Sequence, residues 1–221
     1  MLQRYLTVRP EGRGEIEINR SQFIAYVRRV ESQEEAIAFV QEIKKKHWDA
    51  THNCSAYIAG EQDQFQKMDD DGEPGGTAGK PIMEVIKRNG LKDTAIIVTR
   101  YFGGIKLGAG GLIRAYGKAA SQGLKSTGIV ERILIEKHAF SFDYTYLGKI
   151  ENELQVRGID VLNIDYLENV TVTVGIEKEK LDEVQKLFQN YTGGKAIWTP
   201  GEQVYIEKEY AGKVEDDDQS G

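Results

Sequence analysis

The sequence predicts an α+β chain in two domains. Strand-like and helix-like segments are interspersed along it, the pattern restarts after Lys137, and from residue 138 onward it reads βαββαβ. With 221 residues, 40% hydrophobic and 29% charged, the chain is long enough for two small domains that each bury a core.

Residues 22–30 (QFIAYVRRV) alternate as a strand does. Residues 34–46 carry Ala36, Ile37, Val40 and Ile43 at helical spacing, with acids first and lysines last, as the helix dipole prefers. Residues 52–59 read as a strand and 64–68 as its short partner. A helix over 77–89 has Pro81 in its first turn and Gly90 as its stop. Residues 93–102 (DTAIIVTRYF) form a buried strand, a glycine-rich loop opens a long helix over 110–126, and 129–137 is another strand. The second domain then runs as strand 138–145, helix 147–157 ending at Gly158, strands 161–167 and 170–176, helix 181–191 ending at Gly193, and strand 203–210. That order is the ferredoxin-like split βαβ arrangement. The domains are therefore assigned to 1–137 and 138–212, followed by an acidic tail over 213–221, ending in EDDDQSG, that is expected to be disordered.

No apolar run approaches the ~18 residues of a membrane helix, and the N-terminus lacks a signal-peptide core. Cys54 is the only cysteine, which suits a reducing compartment, so a cytoplasmic location is expected. One Cys and three His make a structural zinc site improbable, and no cofactor is assigned. The net charge of −6 is unevenly spread: residues 1–137 hold 21 basic and 18 acidic side chains, residues 138–221 hold 8 and 17. Within 80–137 the tally is 11 basic against 4 acidic. A polyanion should meet the first domain and be repelled by the second.

Two glycine-dense stretches stand out, 69–81 (DDDGEPGGTAGKP) and 100–116 (RYFGGIKLGAGGLIRAY). The first fails as a phosphate-binding P-loop, because Pro74 stands where the first glycine belongs and Pro81 where a hydroxyl would hold magnesium. The second fails as a dinucleotide fingerprint, because Ile113 takes the third glycine position. A general anion site survives. Free amides at Gly110 and Gly111 open the helix, Arg114 and Lys118 share a face, Arg100 and Lys106 flank the loop, and Tyr101 and Phe102 offer rings for stacking. The competing reading is a solvated charged helix face over buried aromatics. Gly117, Ala120 and Gly123 recur at three-residue spacing, either to let the helix pack closely on a sheet or to face a ligand. Asp69, Asp70, Asp71 and Glu73 offer oxygen ligands but lack calcium-loop spacing and equally form a turn, so no metal is assigned. His52 and Cys54 point to one strand face; a buried structural thiol competes with a nucleophile there and has the better case.

The stretch DDGEPGGTAGKPIMEVI followed by VTRYFGGIKLGAGGLIRAYGKAA resembles the hallmark of the YigZ/YvyE proteins, the bacterial branch of the IMPACT family, and the His52-x-Cys54-x-Ala56 strand fits it too. The resemblance spans essentially the whole chain. It implies a first domain folded like the second domain of a small-subunit ribosomal protein, and a second domain similar to the last domain of elongation factor G. It marks Asp70, Gly72, Glu73, Pro74, Thr77, Gly79 and Pro81, and then Arg100, Tyr101, Gly103, Gly104, Lys106, Gly108, Gly110, Gly111 and Arg114. Many relatives have Ser where this chain has Gly75. The family's eukaryotic members act in translational control through a kinase pathway that a bacterial-type chain lacks.

Together these features describe a binding or regulatory protein rather than an enzyme. The leading expectation is a translation-linked regulator that binds RNA or a ribosome-associated partner through the glycine-rich basic surface. An enzyme acting on a phosphorylated small molecule or nucleotide, with Glu73 or Asp70 as base, is the first alternative. A protein–protein interaction module is the second. The sequence leaves the oligomeric state open.

Overall fold

The computed structural model of the chain describes residues 1–215. Two compact units divide them, one of Met1–Arg132 with the segment from Lys208 onward, the other of Ile133–Glu207. Both mix helix with strand, as the sequence predicts. The expected acidic tail lies, from residue 216, outside the described residues.

The first unit contains β1 (Arg4–Val8), β2 (Glu11–Ile18), β3 (Ser21–Arg29), α1 (Gln33–Lys46), β4 (His52–Ala59), β5 (Phe65–Asp69), α2 (Gly79–Arg88), β6 (Thr94–Tyr101) and α3 (Gly108–Thr127). Its sheet is antiparallel throughout, in the order β2-β3-β6-β4-β5. Helices cover both faces. Phe23, Ala25 and Val27 of β3, Cys54, Ala56 and Ile58 of β4, and Ile96 and Val98 of β6 pack with α2 and α3. The alternate residues Ile24, Tyr26, Tyr57, Ala59, Ala95 and Ile97 pack with Ala36, Phe39 and Ile43 of α1. Strands buried on both faces read as continuous apolar runs, which is why 93–102 was legible.

β1 and β2 were not legible. β2 is broken by Gly12 and Gly14 and half exposed, so its hydrophobic signal is thin. It is held instead by a tight hairpin to β3, turning at Asn19 and Arg20 with φ of 48° and 63°, the paired positive angles of a two-residue turn. Gly123 has a packing reason: a Cβ there would lie 2.7 Å from the Ala25 Cβ and 3.0 Å from Val27 Cγ2. The missing side chain at Gly123 thus lets α3 lie directly on β3.

The second unit comprises most of β7 (Ile129–Phe142), then α4 (Leu147–Val156), β8 (Asp160–Tyr166), β9 (Val170–Ile176), α5 (Leu181–Thr192) and β10 (Ile197–Glu209). β9 lies between β7 and β8, and β10 pairs with β7, which gives the ferredoxin-like order. Phe140 and Phe188 stack at 3.8 Å in a core that α4 and α5 complete with Ile150, Leu154, Val184 and Leu187.

Two sequence expectations need correction here. Residues 129–137 and 138–145 are not separate strands: β7 runs unbroken to Phe142, because nothing in ERILIEKHAF interrupts the extended chain. β7 therefore runs through residues 137 and 138, and the compact units part at Arg132 and Ile133. The last strand starts at Ile197 rather than 203 because its first half is exposed and carries Pro200 and Gly201, which hide the strand signal. Among the described residues, no helix is long and apolar enough to cross a membrane.

Replacing Gly123 by Leu should push α3 off β3 and destabilise the first unit by about 1–3 kcal/mol, the usual cost of overpacking. Chemical unfolding followed by circular dichroism measures it.

Candidate functional site

The two glycine-rich stretches converge at one end of the first unit's sheet, on the face that carries α2 and α3. His52 at the start of β4 is the register partner of Arg100 near the end of β6, so both project from neighbouring strands onto this face. The β5–α2 loop delivers Glu73 against them. Glu73 and Arg100 are only 8% and 5% exposed. Glu73 Oε1 accepts from Arg100 Nη1 at 2.5 Å and from the Tyr116 hydroxyl at 2.8 Å. Tyr116, fully buried in α3, packs edge-on against Phe23 at 5.3 Å. One carboxylate therefore ties the first motif to both halves of the second.

Cys54 belongs to the same buried cluster. Its Sγ lies 3.0 Å from the Asp70 carbonyl and 3.4 Å from the Tyr116 hydroxyl. Burial pushes both its thiol and the Tyr116 phenol well above their ordinary pKa values, with their mutual contact and Glu73's charge adding to the Tyr116 shift. A thiol held protonated is a packing group and not a nucleophile. His52 Nδ1 lies 2.8 Å from the Asp71 carbonyl, which only accepts, so Nδ1 carries the proton. That leaves Nε2 facing Glu73 Oε2 at 3.8 Å.

The three aspartates are spent on architecture. Asp71 accepts from Lys44 Nζ and from the Asn53 amide, both at 2.6 Å, and Asp69 accepts from the Asp71 amide at 3.0 Å. Asp70 closes the start of α2 from outside the helix, accepting from the amides of Gly76, Ala78 and Gly79 at 2.7, 3.0 and 2.8 Å. Gly79 makes this approach feasible, because a Cβ there would lie 2.8 Å from the Asp69 backbone nitrogen. The anion position that a P-loop would offer to phosphate is thus filled by a side chain of the chain itself. Among the described residues, no group of His, Cys, Asp and Glu is arranged to hold a metal.

The start of α3 is different. Its cap residue is Leu107, no side chain caps it, and its first turn contains no acid. Lys106 immediately precedes the cap. Arg114 folds back along the helix, its Nη1 3.7 Å from where a Cβ on Gly110 would sit. Lys106, Arg114 and Lys118 are exposed and have no hydrogen bond or ion pair among the described residues. Beneath this helix start lies a cavity of about 400 Å³, lined by Thr51, His52, Glu73, Pro74, Arg100, Phe102, Lys106, Leu107, Gly108, Ala109 and Leu112.

The residues grouped together by sequence are distributed as follows. Arg100 and Lys106 reach the cavity. Tyr101 does not, since adjacent strand residues point to opposite faces; its hydroxyl meets His47 Nδ1 at 2.9 Å and Asp49 Oδ1 at 3.1 Å on the α1 side. Gly110, Gly111, Arg114 and Lys118 lie along α3 outside the cavity wall. Of the first motif, Glu73 and Pro74 line the cavity, Asp70 and Gly79 build the α2 start, Asp70's carbonyl accepts from Cys54, and Thr77 is buried with its hydroxyl bonded to the Pro74 carbonyl. Gly72 holds a φ of 88° at the turn beside His52, and Pro81 is buried in the first turn of α2. Sequence reasoning gave no role to Tyr116, Leu107 or Leu112. The helical spacing of Leu112 and Tyr116 is a signal that could have paired them on one face.

Two families match this chain. The Impact N-terminal domain covers residues 19–124, which include both motifs, and a domain of unknown function (DUF1949) covers 140–195. IMPACT family member YvyE of Bacillus subtilis (strain 168) is 52% identical over 94% of this chain and 96% of that protein. The chain belongs to the IMPACT family. IMPACT family member YigZ of Escherichia coli (strain K12) is 34% identical over 80% of this chain and 88% of that protein. A crystal structure of a hypothetical protein, 30% identical, superposes with a TM-score of 0.58 over 91% of this chain and 99% of that one.

Two outcomes follow for this IMPACT site. Glu73→Gln leaves Arg100 buried without its counter-charge and should cost about 3–5 kcal/mol in an unfolding titration. Asp70 gives a pH signature. Burial alone would raise its pKa, but the amides of Gly76, Gly79 and Ala78 together outweigh burial and hold it below the usual carboxylate range. Its stabilising contribution is therefore full above about pH 3.9, the unfolded value, and is lost as pH falls through the lower folded value. Asp70→Asn should lower the unfolding midpoint at neutral pH and flatten its fall below pH 4.

Proposed function

We propose that this chain is a regulator that binds RNA, in the setting of translation, through the cationic start of α3. One observation carries the reading: a helix start that is uncapped and free of acids, with Lys106 just before it, Arg114 leaning back over its first turn and Lys118 one turn beyond Arg114, none of which has a partner among the described residues. The amino end of a helix carries about half a positive charge, and natural sequences place acids there. Adding cations instead leaves a repulsion that an anion relieves. Three cations spread along the start and outer face of one helix suit a chain of phosphates better than a single one. The basic excess over 80–137 and the acidic balance beyond 138 restrict that contact to the first unit. The family resemblance supplies the link to translation.

A second reading, a small phosphorylated ligand, is favoured by the cavity, whose volume lies within the range of ligand pockets. Glu73 fits a catalytic base poorly, since its Oε1 is already taken by Arg100 and Tyr116.

RNA binding measured against salt tests the proposal. Binding should fall linearly on a log–log plot, and the double substitution Arg114→Glu, Lys118→Glu should lower the slope by about 1.4, the value for two single-strand phosphate contacts. No binding at low salt, or an unchanged slope, rejects it.

A further inference from the structure

The cavity beneath α3 combines features that the RNA reading does not use. Its floor is Arg100, more than nine-tenths buried, whose Nη1 is committed to Glu73 while Nε is buried with no hydrogen-bond partner among the described residues. A buried charged donor without an acceptor is costly, and such groups point to a bound partner that supplies one. The cavity is the open side of this wall. Its rim is the uncapped start of α3 with Lys106 beside it. The neighbouring helix start, that of α2, has its amides filled by Asp70, so the two helices differ in the one respect that matters for binding an outside anion.

The remaining lining has an apolar wall and a polar end formed by Thr51, His52 and Glu73. Pro74, Leu107 and Leu112 face the cavity together with Phe102, a ring 46% exposed that lies 5.4 Å from the Arg100 guanidinium. An exposed aromatic ring already braced by a cation is a stacking platform for a flat π-system. Thr51 and His52 stand at the polar end, with His52 Nε2 3.8 Å from Glu73 Oε2. Inorganic phosphate alone would leave this apolar wall uncovered, and an apolar molecule alone would leave the amides and Arg100 Nε unsatisfied.

We propose that this cavity binds a nucleoside monophosphate unit, free or as the 5′ end of an RNA, with its phosphate at the α3 start and Lys106 and its base against Phe102, Leu107 and Leu112. The proposal deepens the anion-binding reading above and rests on it for the charge of the ligand. It is separable from that reading, because Arg114 and Lys118 do not line the cavity.

The test is an amide-resolved NMR titration of the full chain with AMP, adenosine, inorganic phosphate, and a short RNA bearing either a 5′-phosphate or a 5′-hydroxyl. AMP should perturb the amides of Thr51, His52 and Lys106 to Leu112, and bind at least tenfold tighter than adenosine or phosphate. Ala109→Trp places a large side chain into the cavity from an exposed position, so folding is retained; it should weaken AMP at least tenfold, whereas Arg114→Glu, Lys118→Glu, at positions outside the cavity wall, should leave AMP affinity unchanged. Lys106→Ala, also exposed, should weaken AMP and phosphate together. If only the 5′-phosphorylated RNA reproduces the AMP perturbations, the ligand is an RNA end; if AMP alone does, it is a free nucleotide. AMP binding no tighter than phosphate, perturbations elsewhere, or full AMP affinity in Ala109→Trp overturns the proposal. Loss of long-RNA binding with AMP binding intact would instead overturn the RNA reading alone.

Discussion

Glu73 and Arg100 face each other almost wholly buried at the wall of the cavity, and most of the first unit's functional end is arranged around that contact. Two charges taken from water repay their desolvation only when geometry is tight and the remaining lone pairs are used. Tyr116 uses one of them from α3, and His52 stands 3.8 Å from the other carboxylate oxygen. A turn, two strands and a helix are thereby held to one another at a single carboxyl group. The arrangement explains why a loop so rich in glycine has a definite place: its backbone is free to turn, and its one buried acid fixes where it ends up.

The two helix starts beside this contact are handled in opposite ways. At α2 the chain brings its own carboxylate, Asp70, across from the end of β5, and the close approach is feasible only because Gly79 has no side chain. At α3 nothing comes. A leucine occupies the cap, a lysine precedes it, and an arginine leans back over the first turn. A fold that satisfies one helix start with three hydrogen bonds and leaves its neighbour open, with like charges gathered there, has departed from local optimum at one place, which is where function is expected.

The sequence showed some of this and concealed the rest for identifiable reasons. That β3 and β6 are strands followed from apolar runs, since burial on both faces leaves no polar interruption. Of the repeat Gly117, Ala120 and Gly123, it is Gly123 whose missing side chain brings α3 onto β3. Grouping Arg100 with Tyr101 overlooked the strand's two-residue period, which sends one to the cavity and the other to His47 and Asp49. The aspartate run offers oxygen ligands and turn formers alike; its carboxylates serve the chain's own amides and Lys44. No pattern in a single sequence distinguishes the two, because the partners lie from 2 to 27 residues away.

Composition and periodicity alone determined the α+β class, the ferredoxin-like second unit and the concentration of positive charge before residue 138, since these depend on which residues are near in sequence. Tertiary structure alone decided that Glu73 neutralises Arg100, that Asp70 closes α2, and that α3 opens over a cavity with an unanswered guanidinium nitrogen. Each of those outcomes is a pairing between distant segments. Whether a charge is spent or available depends on what the fold brings within about 3 Å of it.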